Sequence, residues 1–322
     1  MLPVASNHNG GAANSMSFHP KPNARSISAT PVFLASLAYP MVNHARCRVV
    51  CDLLYIFGMF DDCSDAMDAK TVQKWVDIIM HALRNPHLPR PSEEPIIGEI
   101  IRSFWSNAIG VVSATAQKHF IDEFELYTQA VVDQARDRDQ FVFRNVESYM
   151  VLRRNNLGAK PAFALLEMEM DMPQDIFEHS ALVKLRQLSV DMICLANDLY
   201  SFNVEQSKGD DHNIVTLMIL HEKLSVQEAI DRVSTIHDDL AAQFLEVFRS
   251  LPSFESPAVD SMVQRYVDGL GNWIRANDCW SFETWRYFRD DGLRVQKERS
   301  LDLLPRDKSF IAIMPSATVE VA

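Results

Sequence analysis

From Pro31 onward, apolar residues recur along the chain with the period of an α-helix. In TVQKWVDIIMHAL the apolar positions Val72, Trp75, Val76, Ile79 and Leu83 repeat at intervals that place them on one helical face. The stretch before it, CRVVCDLLYIFGMFDD, is long and apolar and turns acidic only at its end. EEPIIGEIIRSFWSNAIG and KHFIDEFELYTQAVVDQA continue the pattern, and proline-rich NPHLPRPSEEP separates two helices. The clearest helix is LSVQEAIDRVSTIHDDLAAQFLEVFRSLP. Ser225 and Glu228 have capping-box spacing, the apolar face runs through Ile230, Val233, Leu240 and Val247, and Pro252 ends it. No series of alternating strands, no repeat of fixed period and no linker interrupts residues 31–310. The pattern predicts one all-α domain of roughly ten helices over residues 31–322, with the part after Pro305 peripheral.

Residues 1–30 carry no Asp or Glu and show no periodicity, so they are expected to form a disordered N-terminal tail. Their basic, Ser-containing character resembles a transit peptide, but the amphipathic arginine spacing is missing. Composition narrows the function. The chain has 322 residues, 47% hydrophobic, enough for a large core. Glycine is scarce and no GxGxxG or P-loop string occurs, which disfavours a Gly-rich phosphate cradle. A formal net charge of −12 disfavours non-specific binding to nucleic acid or anionic membrane. The five cysteines, Cys47, Cys51, Cys63, Cys194 and Cys279, are odd in number and form no CxxC, which fits reduced thiols in a cytoplasmic protein. No apolar run reaches the roughly 18 residues of a membrane span.

Four constellations carry chemistry. In FDDCSD, Asp61 and Asp65 stand at i and i+4 with Asp62 beside them. Like charges at that spacing repel, and a hard divalent cation such as Mg²⁺ would remove the conflict; a solvated acidic helix end is the plainer alternative. In NDLYSFNVEQSKGDDHN, Asn197, Ser201 and Glu205 line one face at i, i+4 and i+8, either as oxygen ligands for a cation or as a stripe facing water. Lys208, three residues on, is a salt-bridge partner or a phosphate contact. SYMVLRRNNLGAKPAF sets Arg153 and Arg154 ahead of Gly158 and Pro161, where the helix should break; a surface arginine pair is the alternative. NDCWSFETWRYF puts Trp280 and Tyr287 on one face, with Arg286 adjoining Tyr287, or simply packs its aromatics.

In order and spacing these motifs resemble the class I terpene synthases, and more closely the fungal, basidiomycete-type sesquiterpene synthases. DDCSD matches their DDxxD pattern, NDLYSFNVE their (N/D)DxxSxxxE metal motif, and KGDDHN the segment that follows it. RRNNLG is similar to the family's diphosphate-sensing arginine and helix break, and WRYF carries its late Arg-Tyr pair. The resemblance covers roughly Pro31 to Leu304. It implies a single class I terpenoid synthase α-domain, its helices surrounding an apolar active-site cavity. It further implies Mg²⁺-dependent ionisation of an isoprenyl diphosphate, farnesyl diphosphate above others, followed by cyclisation. Asp61, with Asp62 or Asp65, would hold two of three Mg²⁺ ions, and Asn197, Ser201 and Glu205 the third. Arg154, Lys208, Arg286 and Tyr287 would grip the diphosphate. Phe57, one turn before Asp61, and Trp280 are the expected cavity wall, with Phe60 a weaker candidate and Gly158 at the break.

Two departures bear on this reading. Members generally carry a longer segment ahead of LASLAYP, with an extra helix and aromatic residues that cap the site, so truncation or mis-splicing is an expectation here. DDCSD also has Cys63 and Ser64 at its variable positions. Separately, the DxDD motif of protonation-initiated class II cyclases is absent from the sequence. LASLAYP and the run into FDD resemble members that close 1,11 toward humulyl-derived skeletons. Competing readings are a non-catalytic relic serving as a helical binding protein, and a chain-elongating prenyltransferase, which would need a second aspartate-rich motif. The expected protein is a monomer or homodimer.

Overall fold

The computed structural model describes residues 30–254, 256–306 and 318–320. The N-terminal tail expected to be disordered lies outside the described residues, except for Thr30. Among the described residues the chain forms thirteen α-helices. They are α1 (Thr30–Ala38), α2 (His44–Ser64), α3 (Ala69–Arg84), α4 (Ile97–Ala108), α5 (Ala114–Asp139), α6 (Val146–Asn156) and α7 (Ala159–Ala164). Then follow α8 (Gln174–Phe177), α9 (Ser180–Lys208), α10 (Ile214–Glu222), α11 (Val226–Arg249), α12 (Pro257–Glu283) and α13 (Gly292–Glu298). Three of these, α7, α8 and α13, are shorter than two full turns, so ten longer helices build the bundle, as the periodicity predicts. A short antiparallel ribbon pairs β1 (Ser300–Asp302) with β2 (Thr318–Glu320), with Leu301 opposite Val319. The β2 segment lies within the part expected to be peripheral. None of the helices among the described residues is long and apolar enough to cross a membrane.

Local chemistry explains the boundaries. Asn43, Asp68, Ser113, Asn145, Asn213 and Ser225 each accept a backbone N–H with their side chain at a helix start. Ser225 and Glu228 close the expected capping box. Asp68 therefore caps α3 and stands apart from the acidic cluster that precedes it. The break foreseen after Arg154 occurs: α6 ends at Asn156 and α7 starts after Gly158.

The large core joins α1–α5, α7, α9 and α12 around Phe60, Phe120, Phe124, Phe163, Leu185 and Tyr266. A second cluster, with Ile214, Leu217, Val226, Ile230 and Phe282, packs α10 and α11 beside the end of α9. Helices α9 and α12 run parallel. Phe177, just ahead of α9, meets Tyr266 in the first half of α12, with centroids 6.0 Å apart, and further along both helices Tyr200 Oη donates to Asp278 Oδ1 at 2.8 Å. This pairing brings the C-terminal end of α12 to the same end of the bundle as the C-terminal end of α9. All five cysteines are unpaired, Cys51, Cys63 and Cys194 buried.

Candidate active site

The whole Asn-Ser-Glu motif lies within α9, as its spacing predicts, and its geometry is set from below by Asp198. This carboxylate is almost fully buried. It accepts from Tyr149 Oη, from Arg153 Nε at 3.0 Å and from the Ile214 backbone N–H at 3.0 Å, and Arg153 Nη2 stands 2.9 Å from its Oδ1 in the ion pair. Arg153 Nη2 also donates to Asn197 Oδ1 at 2.7 Å, and Asn197 Nδ2 donates to Tyr287 Oη at 2.8 Å. The Asn197 amide is thus held from both sides. Asn213, fully buried, caps α10 and turns its Nδ2 back to the Asp198 carbonyl at 2.6 Å and to Glu205 Oε2 at 2.9 Å. Ser201 is buried beside it, its Oγ 3.5 Å from that Nδ2.

The acidic residues Asp61 and Asp62 close α2, and Asp65 follows it. Asp61 opens to solvent on one side and stands in a recess of the protein. That partial removal from water raises its pKa; Arg286 and Arg153 oppose the rise, while Asp62 and Asp210 add to it. Asp65 is pushed up to about 6, by the same loss of water and then by Asp61 and Asp210. Across the recess, burial followed by repulsion from Asp210 and Asp198 pushes Glu205 up to about 8. Asp210 acts on all three carboxyls, so the two motifs share one electrostatic environment.

The Arg-Tyr pair joins them directly. Arg286 Nη2 stands 3.7 Å from Asp61 Oδ2, and the next residue, Tyr287, receives the Asn197 amide N–H. Trp280 lies edge-on to Tyr287 with centroids 5.9 Å apart. On the opposite side Phe57 stacks on Phe124 and meets Tyr127 edge-on, with centroids 6.0 and 5.0 Å apart. Gly158 adopts φ +80°, and a Cβ there would stand 3.2 Å from the Phe57 ring. Both the left-handed backbone and the ring require glycine. Phe60 is 1% exposed with its ring against Tyr127, so it supports the aromatic wall with almost no open face.

The two arginines of RRNNLG separate clearly. Arg153 is enclosed by Asp198, Asn197 and Asn156. Arg154 is more open and directs Nε and Nη2 to Asp191, at 2.7 and 3.1 Å. Lys208 is exposed in the last turn of α9. Sequence reasoning missed Asp198, Tyr149, Asn213 and the place of Arg153. Asp198 is the second letter of the motif, and Tyr149, Arg153 and Asn156 share one face of α6. Asn213 had a signal as well: an asparagine directly before the apolar IVTLMIL is an N-cap pattern.

Among the described residues, no group of three or more His, Cys, Asp or Glu is arranged to hold a metal ion. Asp61, Asp62 and Asp65 are thus not by themselves converged as a ligand group, and on α9 only Glu205 is a carboxylate, beside the amide of Asn197 and the hydroxyl of Ser201. Carboxylates whose proton affinity is raised by loss of water and then by neighbouring charge, beside neutral oxygens, fit a hard divalent cation.

The sign of the Glu205 shift generates a test. Its folded pKa, about 8, lies above the ordinary 4.5, so the folded state holds the proton more tightly. Without metal, the resulting stability is full below the unfolded value and is lost as pH rises through about 8. In metal-free protein Glu205→Gln should therefore melt higher than wild type at alkaline pH, the difference closing toward pH 4.5. Calorimetric melting across pH in a chelator checks this; a variant that melts lower at alkaline pH contradicts it.

The model of terpene synthase family 2, C-terminal metal binding, matches residues 52–243. A Δ6-protoilludene synthase of Cyclocybe aegerita is 55% identical over 288 residues, 88% of this chain and 44% of the relative. The chain thus spans less than half the length of that relative. A Δ6-protoilludene synthase of Stereum hirsutum is 46% identical over 274 residues, 85% of this chain and 78% of the relative. Among solved structures, linalool/nerolidol synthase from Streptomyces clavuligerus in complex with 2-fluorogeranyl diphosphate superposes with a TM-score of 0.72 at 21% identity. The match covers 80% of this chain and 88% of that one, and shows a shared fold. With the family model spanning more than half of its residues and close fungal relatives along most of its length, the chain belongs to terpene synthase family 2.

Proposed function

We propose that this protein is a sesquiterpene synthase that ionises farnesyl diphosphate with Mg²⁺, cyclises the resulting cation and releases diphosphate. The observation that carries the reading is the Arg286–Tyr287 pair, which reaches Asp61 with one residue and Asn197 with the next. Two oxygen-rich motifs thereby face one recess above an aromatic wall. The names of the Cyclocybe and Stereum relatives support the reaction class, and they support a product of the Δ6-protoilludene kind. The Asn-Ser-Glu form of the second motif disfavours chain elongation.

In this reading Asp61, assisted by Asp62 or Asp65, would hold two Mg²⁺ ions on one side, and Asn197, Ser201 and Glu205 would hold a third on the other. When bound there, Mg²⁺ supplies the positive charge that makes diphosphate a good leaving group in an acidic protein. The chain's own cations complete the site. Arg286 and Lys208 offer N–H donors at the rim, Tyr287 its hydroxyl, and Arg154 its remaining Nη1. The substrate's carbon–oxygen bond breaks to give an allylic cation and diphosphate, a charge separation that fixed donors stabilise. Phe57 and Trp280 exclude water, and each ring face turned to the cation contributes about 0.5–2 kcal/mol. Released diphosphate takes the final proton. The reading places a monomer or homodimer in the cytoplasm.

Incubation of the purified protein with geranyl, farnesyl and geranylgeranyl diphosphate, followed by gas chromatography–mass spectrometry, tests it. A cyclic C15 product formed from farnesyl diphosphate only with Mg²⁺ is expected; no product from any of the three contradicts it. The two arginines should separate in the same assay. Arg154→Ala should lower turnover at least about tenfold with little change in melting temperature. Arg153→Ala should lower the melting temperature, because it leaves Asp198 buried and unpaired. Equal losses of turnover with equal stability would contradict the assignment.

A further inference from the structure

Large apolar side chains scattered singly over a surface are ordinary, but their gathering around an opening is not. Among the described residues four aromatic side chains are exposed: Tyr55, Phe141, Phe143 and Trp285. Three of them belong to segments that touch the aspartate-rich end of α2. Arg138, in the last turn of α5, donates through Nη2 to the Ser64 and Met67 carbonyls at 2.8 and 2.7 Å and stands 3.7 Å from Asp65 Oδ1. The chain leaves α5 directly after it, and Phe141, Val142 and Phe143 follow, 84%, 47% and 51% exposed. Trp285, also exposed, directly precedes Arg286, whose Nη2 faces Asp61. Phe141 takes a backbone conformation that bulky residues avoid, φ +54°. Its N–H donates to the Arg138 carbonyl at 3.2 Å, and the Val142 N–H to the Asp137 carbonyl at 2.8 Å. Phe141 thus fills the left-handed position at a helix end that glycine ordinarily takes. A phenylalanine there carries backbone strain and solvent exposure together, and packing within the fold explains neither.

We propose that Phe141, Val142, Phe143 and Trp285 seat the mouth of the recess on the surface of a zwitterionic lipid bilayer. The purpose of that contact rests on the sesquiterpene synthase reading; the contact itself does not. Aromatic side chains are favoured at headgroup depth, where one side is apolar and the other wet. Charge selects the kind of lipid. A net charge of −12 opposes an anionic surface. The arginines beside the tip are engaged with carboxylates: Arg136 with Asp133, Arg144 with Asp137, and Arg138 near Asp65. They are not held out toward anionic headgroups. Size selects lipid over a second copy of this chain. A three-residue tip offers far less than the roughly 800 Å² per partner of a stable protein interface, whereas membrane-surface binding needs only apolar groups that reach the acyl boundary. The chemistry gives the contact a use. Farnesyl diphosphate has an apolar chain and a charged head, and a cyclised hydrocarbon is wholly apolar. A recess held at headgroup level meets the charged head in water and releases the hydrocarbon where it dissolves.

The test is co-sedimentation of the purified full chain with phosphatidylcholine vesicles, together with thermal melting and sedimentation velocity without lipid. Wild type should partition onto the vesicles. Phe141→Gly combined with Phe143→Ser should lower the bound-to-free ratio at least about tenfold, since two rings are lost from the contact. Trp285→Ser should lower it at least about threefold from its own segment. Phe141→Gly alone should melt at the same temperature or higher, because glycine accepts the left-handed backbone without strain. A lower melting temperature in Phe141→Gly overturns the inference, because the ring then serves the fold. Wild type that stays in the supernatant overturns it, as does partitioning that ignores the substitutions. A wild-type dimer that the double variant dissociates overturns it too, in favour of a contact between copies. Failure to form a terpene in the product assay sinks the functional reading instead, and leaves vesicle binding to decide the contact.

Discussion

The buried Asp198 carboxylate holds three helices in register beneath the metal motif. It takes Tyr149 and Arg153 from α6 and the first backbone N–H of α10, while itself belonging to α9. Breaking a buried ion pair of this kind costs about 3–5 kcal/mol, because the remaining charge keeps no partner. The same arginine fixes the Asn197 amide, so the anchor and the motif share a side chain. Asn213 repeats the arrangement on the other side, capping α10 while it orients Glu205. Placement of three oxygen donors on α9 thus depends on groups that are hidden from any ligand.

The recess above the anchor is a compromise between crowding and access. Loss of water first, and the charge of Asp210 among their acidic neighbours after it, raises the proton affinity of Asp61, Asp65 and Glu205. Such a cluster is unfavourable until cations enter, which is the property a site for a metal-bound phosphate ester needs. Arg286 and Arg153 offset part of the repulsion in its absence. Gly158 and Phe57 set the spacing on the aromatic side, where only a residue without a side chain allows the ring to approach.

Most of the helices were legible because their apolar period is strong and their caps are simple: Ser225 with Glu228 is one case, and the break at Gly158 is another. The motif residues were legible because a fixed spacing on one helix needs no tertiary information. Arg153 and Arg154 were not separable that way. They are adjacent in sequence, and which one turns under Asn197 depends on the packing of α6 against α9. Asp198 and Tyr149 were hidden for the same reason, since a buried pair forms across 49 residues of chain.

The central claim is that the aspartate-rich end of α2 and the Asn-Ser-Glu face of α9 form one site. Calorimetric titration of the purified protein with inorganic diphosphate, with and without Mg²⁺, tests it most directly. The account predicts binding that requires Mg²⁺ and weakens at least about tenfold in Asp61→Asn and, separately, in Asn197→Ala. Binding that persists in a chelator, or that ignores either substitution, would contradict it.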